Sequence, residues 1–571
     1  MKMLSRITIL LLVAVRSISA DLIPSDRTTD WTIAGVPGGI PTYPAWTNMA
    51  GLDATGVTNV QADIQAALDS CPARQAVVLP AGTFRIESML TITKTNVLRG
   101  AGSNLTTVLM AFTSGGSTAG IRIGSAIGGD TVWTNAGLAL KGQTNLTLLT
   151  TTGLAVSNVV AIEQLNDGIL VYNYSDEGAS VGQDWYYSTN HVLAQMLEIR
   201  DIDGTNITFW PPLNWTWTNS LSCKIHRKGN GTWTYGCGVE DLTIGQTSSN
   251  GDKNLEITFA KYSWATRILT TNTYKYHCLL VGSMFCEVRD SQFIGSQGSS
   301  SGGNYGCSVS LGTTSCLIEN NIFNNVITAM IVAEMSQGNV YGYNYCHRTQ
   351  YSPATFMQVA MSVHDGHPMM NLLEGNVGTG FISDLIHGSS SHTTLFRNRI
   401  PAGQMQTNEG TVWTTSQNRG IQWDNHNWYG AAAANVLGST NASYLAFTNG
   451  PNAVGSSVAV LESFGCMSAS PYTYTDANAF ATAILLGNYL IGTGSDGVPA
   501  RESVGSTNIP ASLYRSERPA WFGGVVWPPI GPDVSGLYNS IPAQYMFNGQ
   551  DVPPARVFRA TTSRVGTVSS P

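Results

Sequence analysis

Five of the nine histidines in this 571-residue chain, His347, His364, His367, His387 and His392, fall within 46 residues. Asp365 stands among them in "HDGH", residues 364–367. Imidazoles and carboxyls gathered in one place can move protons. Two further acids join when positions are counted back from a series of asparagines. Glu334 lies 10 residues before Asn344, Asp365 lies 11 before Asn376, His387 lies 11 before Asn398 and Asp424 lies 11 before Asn435. Ser310 lies 11 before Asn321. Each follows a short apolar run, so each should end a strand beside a corner. If every asparagine marks one winding of a stacked chain, these residues form a single column with coils about 4.8 Å apart.

Such a column permits two chemistries. Glycoside hydrolysis uses two carboxyls at a controlled separation. Glu334 and Asp365, on adjacent coils, would stand about 5 Å apart, suiting a covalent retaining route; Asp365 and Asp424, two coils apart, would stand about 9.6 Å apart, near the upper limit for water-mediated inversion. His387 lies between and could orient a water or a hydroxyl, and His364 adds a proton carrier beside Asp365. Crowding of Glu334 and Asp365 should raise the pKa of one, as a general acid needs. Elimination on a uronate-containing glycan needs a cation and a base instead; Arg397, Arg399 or His392 could serve, with Ca²⁺ held by the acids. Only the elimination reading brings in a cofactor. Tyr351, Phe356, Trp423 and Trp428 offer faces for sugars, and His367 and Arg397 polar contacts. The loop at 347–358 could wall a cleft.

The same residues admit a plainer reading. Asp-Gly and His-Gly are ordinary turn pairs. A non-catalytic surface protein could bind glycan through the same aromatic and acidic groups. Geometry divides the two: an enzyme needs carboxyls that converge in a groove, whereas a stalk would splay them over a flat face.

The elements that would position the column are short strands. Charged residues make up only 11 % of the chain, glycine is abundant at 60 residues and 43 % of residues are hydrophobic. That composition excludes disorder and predicts many turns between strands. A net charge of −7 argues against nucleic acid as the main partner. Asn or Asp recurs beside an apolar strand at Asp241, Asp290, Asn321, Asn344, Asn376, Asn398, Asn435 and Asn488. Steps of 22 and 23 set the basic coil; steps of 31, 32 and 37 imply protruding loops, and the 49- and 53-residue steps should each hide an unmarked coil. Asn tolerates the left-handed conformation of a tight corner, and stacked amides can bond up the column. Glu319 and Glu374, two residues before an Asn corner, read as structural, as do Arg397 and Arg399 in flank salt bridges.

Residues 60–108 open with an apolar helical face at Ile64, Ala67 and Leu68, stopped by Pro72. Stacked short strands follow. A helix there would cap an open strand stack whose free edge invites aggregation. The stretch "ADIQAALDSCP…VVLPAGTFRI…VLRGAGSNLT" resembles the start of the pectate-lyase-like superfamily, closest to its rhamnogalacturonase- and epimerase-like branch. The resemblance implies an all-β, right-handed parallel β-helix with an N-terminal capping helix. It also implies action on a polysaccharide such as a pectin-like glycan. The intact polygalacturonase-type signatures are absent, so no catalytic residue is carried over from that group.

The expected organisation is a signal peptide over 1–20, a cap and first coils over 21–137, an inserted small β-barrel or sandwich over 138–218, the main β-helix over 219–505 and a Pro- and aromatic-rich flank-packing tail over 506–571. The leader "MKMLSRITILLLVAVRSISA", with Lys2 and Arg6 before the apolar run 9–15, implies a secreted or periplasmic monomer, free of the membrane after processing. Of nine cysteines, Cys223 and Cys237 could clamp a hairpin, while buried thiols are the alternative.

Overall fold

The computed structural model describes residues 22–550 apart from 113–117, 126, 169, 173–190, 248–251, 299–301, 353–354, 405–412, 450–458, 467–475 and 498–508. The leader expected over 1–20 lies outside the described residues. No helix among the described residues is long and apolar enough to cross a membrane.

Short parallel strands wind into three long sheets, the right-handed β-helix expected from the sequence. Among the described residues the first sheet has twelve strands, the second eight with a three-stranded continuation, and the third eleven. Inward positions are Val, Ile, Leu, Phe and Cys and form one continuous core along the stack. The helix α1 (Gln61–Ser70) lays Ile64 and Leu68 on that core beside Leu90 and Ile92.

The corner between the first and second sheets is held by asparagine. Asn321, Asn344, Asn376, Asn398, Asn435 and Asn488 are fully buried, and from Asn321 to Asn435 each amide Nδ2 donates to the Oδ1 of the next at 2.9–3.1 Å. From Asn344 onward each Oδ1 also accepts the backbone N–H of the Asn below, and that of Asn321 accepts from Ser291 N. The left-handed residue is the one before: Asn320, Tyr343, Gly375, Arg397, Ala434 and Gly487 all have φ between 51° and 70°. Asn is therefore retained for its amide, and the αL position accepts other side chains. Asp241 and Asp290, with φ of 56° and 53°, are themselves the αL residues and align with Asn320, one residue away from the place counted for them. The 49-residue step does hide a coil, whose strand is Trp264–Thr266. The 53-residue step does not: Asn435 bonds Asn488 directly and Ala431–Ala433 pairs with Ile484–Leu486.

Between the strands Val97–Arg99 and Gly238–Glu240, which pair directly, the chain leaves the stack. It builds an antiparallel sheet of six strands from Asp130–Thr134 to Lys224–Lys228. That sheet has its own apolar layer, which continues onto Met284, Phe285, Met335, Met369 and Met370 of the coils. Its backbone is tied to the stack by Thr314 Oγ1, which accepts from Met196 N at 3.1 Å, and by Gln337 Nε2, which donates to Ala194 O at 2.7 Å. Cys223 lies in this layer and Cys237 in the β-helix core, so the hairpin clamp does not form; the eight described cysteines are buried thiols.

The segment 509–547 runs along the first sheet. Tyr514, Trp521, Phe522 and Ile530 bury Leu317, Val340, Leu372 and Phe396. Glu319 accepts from Tyr514 Oη at 2.8 Å and pairs with Arg515, while Glu374 accepts Leu513 N at 2.8 Å. Both glutamates hold this segment down.

Candidate active site

Five consecutive strands of the third sheet build the candidate site: β1 (Tyr305–Ser310), β2 (Met330–Ala333), β3 (Met361–His364), β4 (Phe381–Ser383) and β5 (Arg419–Asp424). Alternation sends Val309, Val332, Val363 and Trp423 into the core and leaves the last residue of β1, β2, β3 and β5 outside it, whereas β4 ends on the inward Ser383 and its outer residue is Asp384, one position on. The register pairs Ala333 with His364, and Val363 with Ser383. The outer row thus runs Ser310, Ala333, His364, Asp384, Asp424. The next position turns the corner in left-handed backbone: Leu311, Glu334 and Asp365 have φ of 51°, 46° and 61°. The column counted from the asparagines is therefore split: Ser310 and Asp424 fall in the outer row, Glu334 and Asp365 in the next, and His387 two positions beyond that. The count slipped because the segment between strand end and Asn differs in length from coil to coil.

The side chains nevertheless converge. Glu334 Oε2 accepts from Ser310 Oγ and from Leu311 N at 3.1 Å. His364 Nδ1 lies 2.9 Å from both oxygens of Asp384, and its Nε2 lies 3.4 Å from Asp365 Oδ1. The His387 ring stands edge-on to that of His364 with centroids 5.7 Å apart. His364, Asp365 and His387 each offer a donor atom within 4.8 Å of the others. Gly388 makes this approach: a Cβ there would lie 2.6 Å from Gly366 Cα, so only glycine lets the two corners touch.

The electrostatics follow from this crowding. Burial, then the charge of Asp365, lifts Glu334 to about 7. Burial works against a charged His364, yet Asp384 and Asp365 override it and raise the imidazole to about 10. Burial also pushes Asp365 up, against the opposing pull of His364. At neutral pH the row therefore sets a half-protonated Glu334 near an imidazolium at His364, which faces the carboxyls of Asp384 and Asp365. Such a set can give and take a proton without leaving its hydrogen bonds.

The remaining candidates are placed elsewhere. His367 is fully buried, bonded to Ser391 Oγ at 2.9 Å and lowered by burial to about 4. His392 is buried between Tyr429, stacked at 4.9 Å, and Trp215 of the inserted segment, and burial lowers it to about 3. Trp423 is 2 % exposed and lies among Phe381 and Phe464 in the core, where no sugar reaches. Arg397 is 1 % exposed; it pairs with Asp533 at 2.8 Å and donates to Ile530 O, so it fastens the C-terminal segment. Arg399 lies over the Tyr538 ring on the far side of that corner. His347 stacks on Phe547, also away from the site. Asp424 extends the outer row but is fully buried, accepting from Gln422 Nε2 at 2.5 Å. Tyr351 and Phe356 pack on each other at 4.6 Å on the loop read as a wall, half-buried. Trp428 is half-buried with its Nε1 donating to Asp476 at 2.6 Å.

Residues 47–276 match the family model described as Rhamnogalacturonase A/epimerase, pectate lyase-like. Over that stretch the chain is similar to pectate-lyase-like β-helix proteins. No curated protein matches it in sequence. Among solved structures it is similar to the tailspike gp61 of Pseudomonas phage phi297, with 12 % identity and a TM-score of 0.47 over 73 % of this chain and 66 % of that one. It is similar also to the tailspike gp54 of Acinetobacter baumannii bacteriophage AP22, solved with a capsular saccharide, with 10 % identity and a TM-score of 0.48 over 77 % and 64 %. The A-module of an Azotobacter vinelandii mannuronan C-5 epimerase, AlgE6, gives 10 % identity and a TM-score of 0.38 over 78 % and 99 %. The chain spans just under two thirds of the length of the two tailspikes.

The family match of this β-helix protein ends before Ser310, so it bears on the stack and not on the site. Sequence reasoning missed Asp384, the partner of His364, because the count fixed on His387 three residues later. It also missed Tyr276 and Tyr305. They are register partners with rings 5.4 Å apart, and after burial and Tyr305 the charges of Glu334 and Asp365 push the Tyr276 phenol up. Their signal was a tyrosine five residues before a strand end, in Tyr276 before Val281 and Tyr305 before Ser310. Tyr172 of the inserted segment stacks on His426 at 3.9 Å and exchanges hydrogen bonds with Ser389, so that segment stands beside His387.

Proposed function

We propose that this protein cleaves a polysaccharide by hydrolysis of a glycosidic bond at the Glu334–Asp365–His364–Asp384 row. The observation that carries the reading is convergence. Two carboxyls face one imidazole, a third stands on the next coil, and all lie at one sheet end. A surface protein that used its acids only for contact would not need to bury Asp365 and Asp384. Glu334, partly protonated at neutral pH, donates to the glycosidic oxygen as the bond to the anomeric carbon breaks. Asp365 is the carboxylate on the reacting side, and His364 and Asp384 hold its charge and position. The water's oxygen ends on the anomeric carbon and its second proton returns to the acid pair. Tyr276 and Tyr305, on earlier coils of the same sheet, extend a path along which further sugar units lie.

Elimination finds less support. Arg397 and His392, the basic groups it would use, are enclosed elsewhere. An exported location and a pectin-like or other uronate-containing substrate belong to this proposal through the leader and the family resemblance.

The test is a panel of neutral and uronate-containing polysaccharides incubated with the purified chain. New reducing ends without unsaturated uronide absorbance are expected on at least one polymer, and Glu334→Gln should remove them. Unsaturated product would replace hydrolysis by elimination. Binding without any cleavage would reduce the protein to a glycan-binding β-helix.

A further inference from the structure

We infer that His364, Asp365 and His387 form a site for a divalent transition-metal ion such as Zn²⁺, beyond the cleavage reading and independent of it. Three observations carry this. First, the three donor atoms gather within 4.8 Å of one another on adjacent corners. Second, Asp365 is 6 % exposed and its fully buried Oδ1 accepts no hydrogen bond from the described residues. The His364 Nε2 stands 3.4 Å away, beyond the about 2.7–2.9 Å of a charge-assisted hydrogen bond. A tetrahedral centre with arms of about 2.1 Å puts its donors about 3.4 Å apart, so the gap has the span of a coordination edge. Third, His364 is already oriented for such a role. Both oxygens of Asp384 lie 2.9 Å from its Nδ1, which fixes that nitrogen as the donor and leaves Nε2 aimed at Asp365. A carboxylate behind a ligating imidazole is the usual supporting partner of a metal histidine.

Two nitrogens and one carboxylate oxygen suit Zn²⁺, Co²⁺ or Ni²⁺, whereas Ca²⁺ and Mg²⁺ prefer oxygen throughout. His387 is exposed, so the third arm faces solvent and an ion can enter from that side. The ion takes the place of the His364 Nε2 proton, so metal and proton compete for one gap. It also claims Asp365, and any cleavage rate changes with it; direct binding is therefore the readout.

The full chain is stripped with a chelator and titrated with Zn²⁺, Ca²⁺ and Co²⁺, following heat by calorimetry and, for Co²⁺, visible absorption. One equivalent of Zn²⁺ is expected, with Co²⁺ bands typical of a four- or five-coordinate site. His387→Ala, at an exposed corner, should weaken binding at least about tenfold, and Asp384→Asn about 10–100-fold. No binding, binding of Ca²⁺ in preference to Zn²⁺, or Zn²⁺ affinity unchanged in both variants would overturn the site. Zn²⁺ binding in a protein that cleaves no glycan leaves this inference standing and ends the hydrolytic one; cleavage by a chain that takes up no metal does the reverse.

Discussion

The Nδ1 of His364 stands 2.9 Å from each carboxylate oxygen of Asp384, two residues on neighbouring coils that the chain separates by 20 positions. The contact joins a strand's last residue to the residue just past the next strand, and it sets the state of everything around it. With Asp384 and Asp365 on either side, the imidazole holds its proton far above the ordinary histidine range.

Removing that partner should be visible directly. In chelator-treated protein the His364 ring should remain charged at pH 8, as read from imidazole NMR shifts, because its folded value lies near 10. Asp384→Asn should bring the titration down by more than one pH unit. The sign also fixes a stability dependence. A histidine raised on folding stabilises fully below its unfolded value of about 6.5, and that contribution fades as pH climbs through about 10. The wild type should lose more stability than Asp384→Asn between those limits.

Glu334 should control the alkaline limb of activity. Its carboxyl sits near 7 through burial and the charge of Asp365, with Ser310, Leu311 N and His364 pulling the other way. As the acid, it must be protonated, so kcat/KM in chelator should fall about tenfold per pH unit above 7. Glu334→Gln should abolish the limb and cost about 10²–10⁴ in rate. A limb that survives the substitution would assign it to another group.

The asparagine corner predicts a stability effect with no bearing on chemistry. Asn376 Nδ2 donates to Tyr341 O and Asn398 Oδ1, and its Oδ1 accepts from Asn344. Asn376→Ala leaves buried partners unmatched above and below, at about 3 kcal/mol. Denaturant unfolding followed by circular dichroism measures it. Asn376→Asp should be at least as harmful, because it removes the donor and buries a charge.

Arg397→Ala should loosen the C-terminal segment and spare the site. The guanidinium joins Asp533, Ile530 O and Pro510 O. Its loss should expose 509–547 to proteases at concentrations the wild type resists, while glycan cleavage per folded molecule stays within about twofold, as expected of a substitution outside the reacting groups.

The sequence made the stack legible because stacking needs periodic apolar strands and a polar corner, and both are local patterns. The capping helix showed itself the same way, through Ile64 and Leu68. The site was legible by region: His364, Asp365 and His387 do meet, and Glu334 stands near enough to feel the charge of Asp365 and His364. Their pairing was not, since corner loops vary in length and shift a count by a residue. Trp423, His367 and His392 looked available in the sequence and are enclosed. Trp423 points inward by strand alternation, and His392 is covered by Trp215 from more than 170 residues earlier. Long-range cover of that kind leaves no periodic trace.

The amide spine has one further consequence. Asn344 meets Asn376, and Asn435 meets Asn488, with the same bond whether 32 or 53 residues intervene. The winding is indifferent to what each loop carries outward. Segments between rungs can therefore lengthen, shrink or be exchanged during evolution while the scaffold keeps its index, and a new specificity can be grown at the rim without redesigning the trunk.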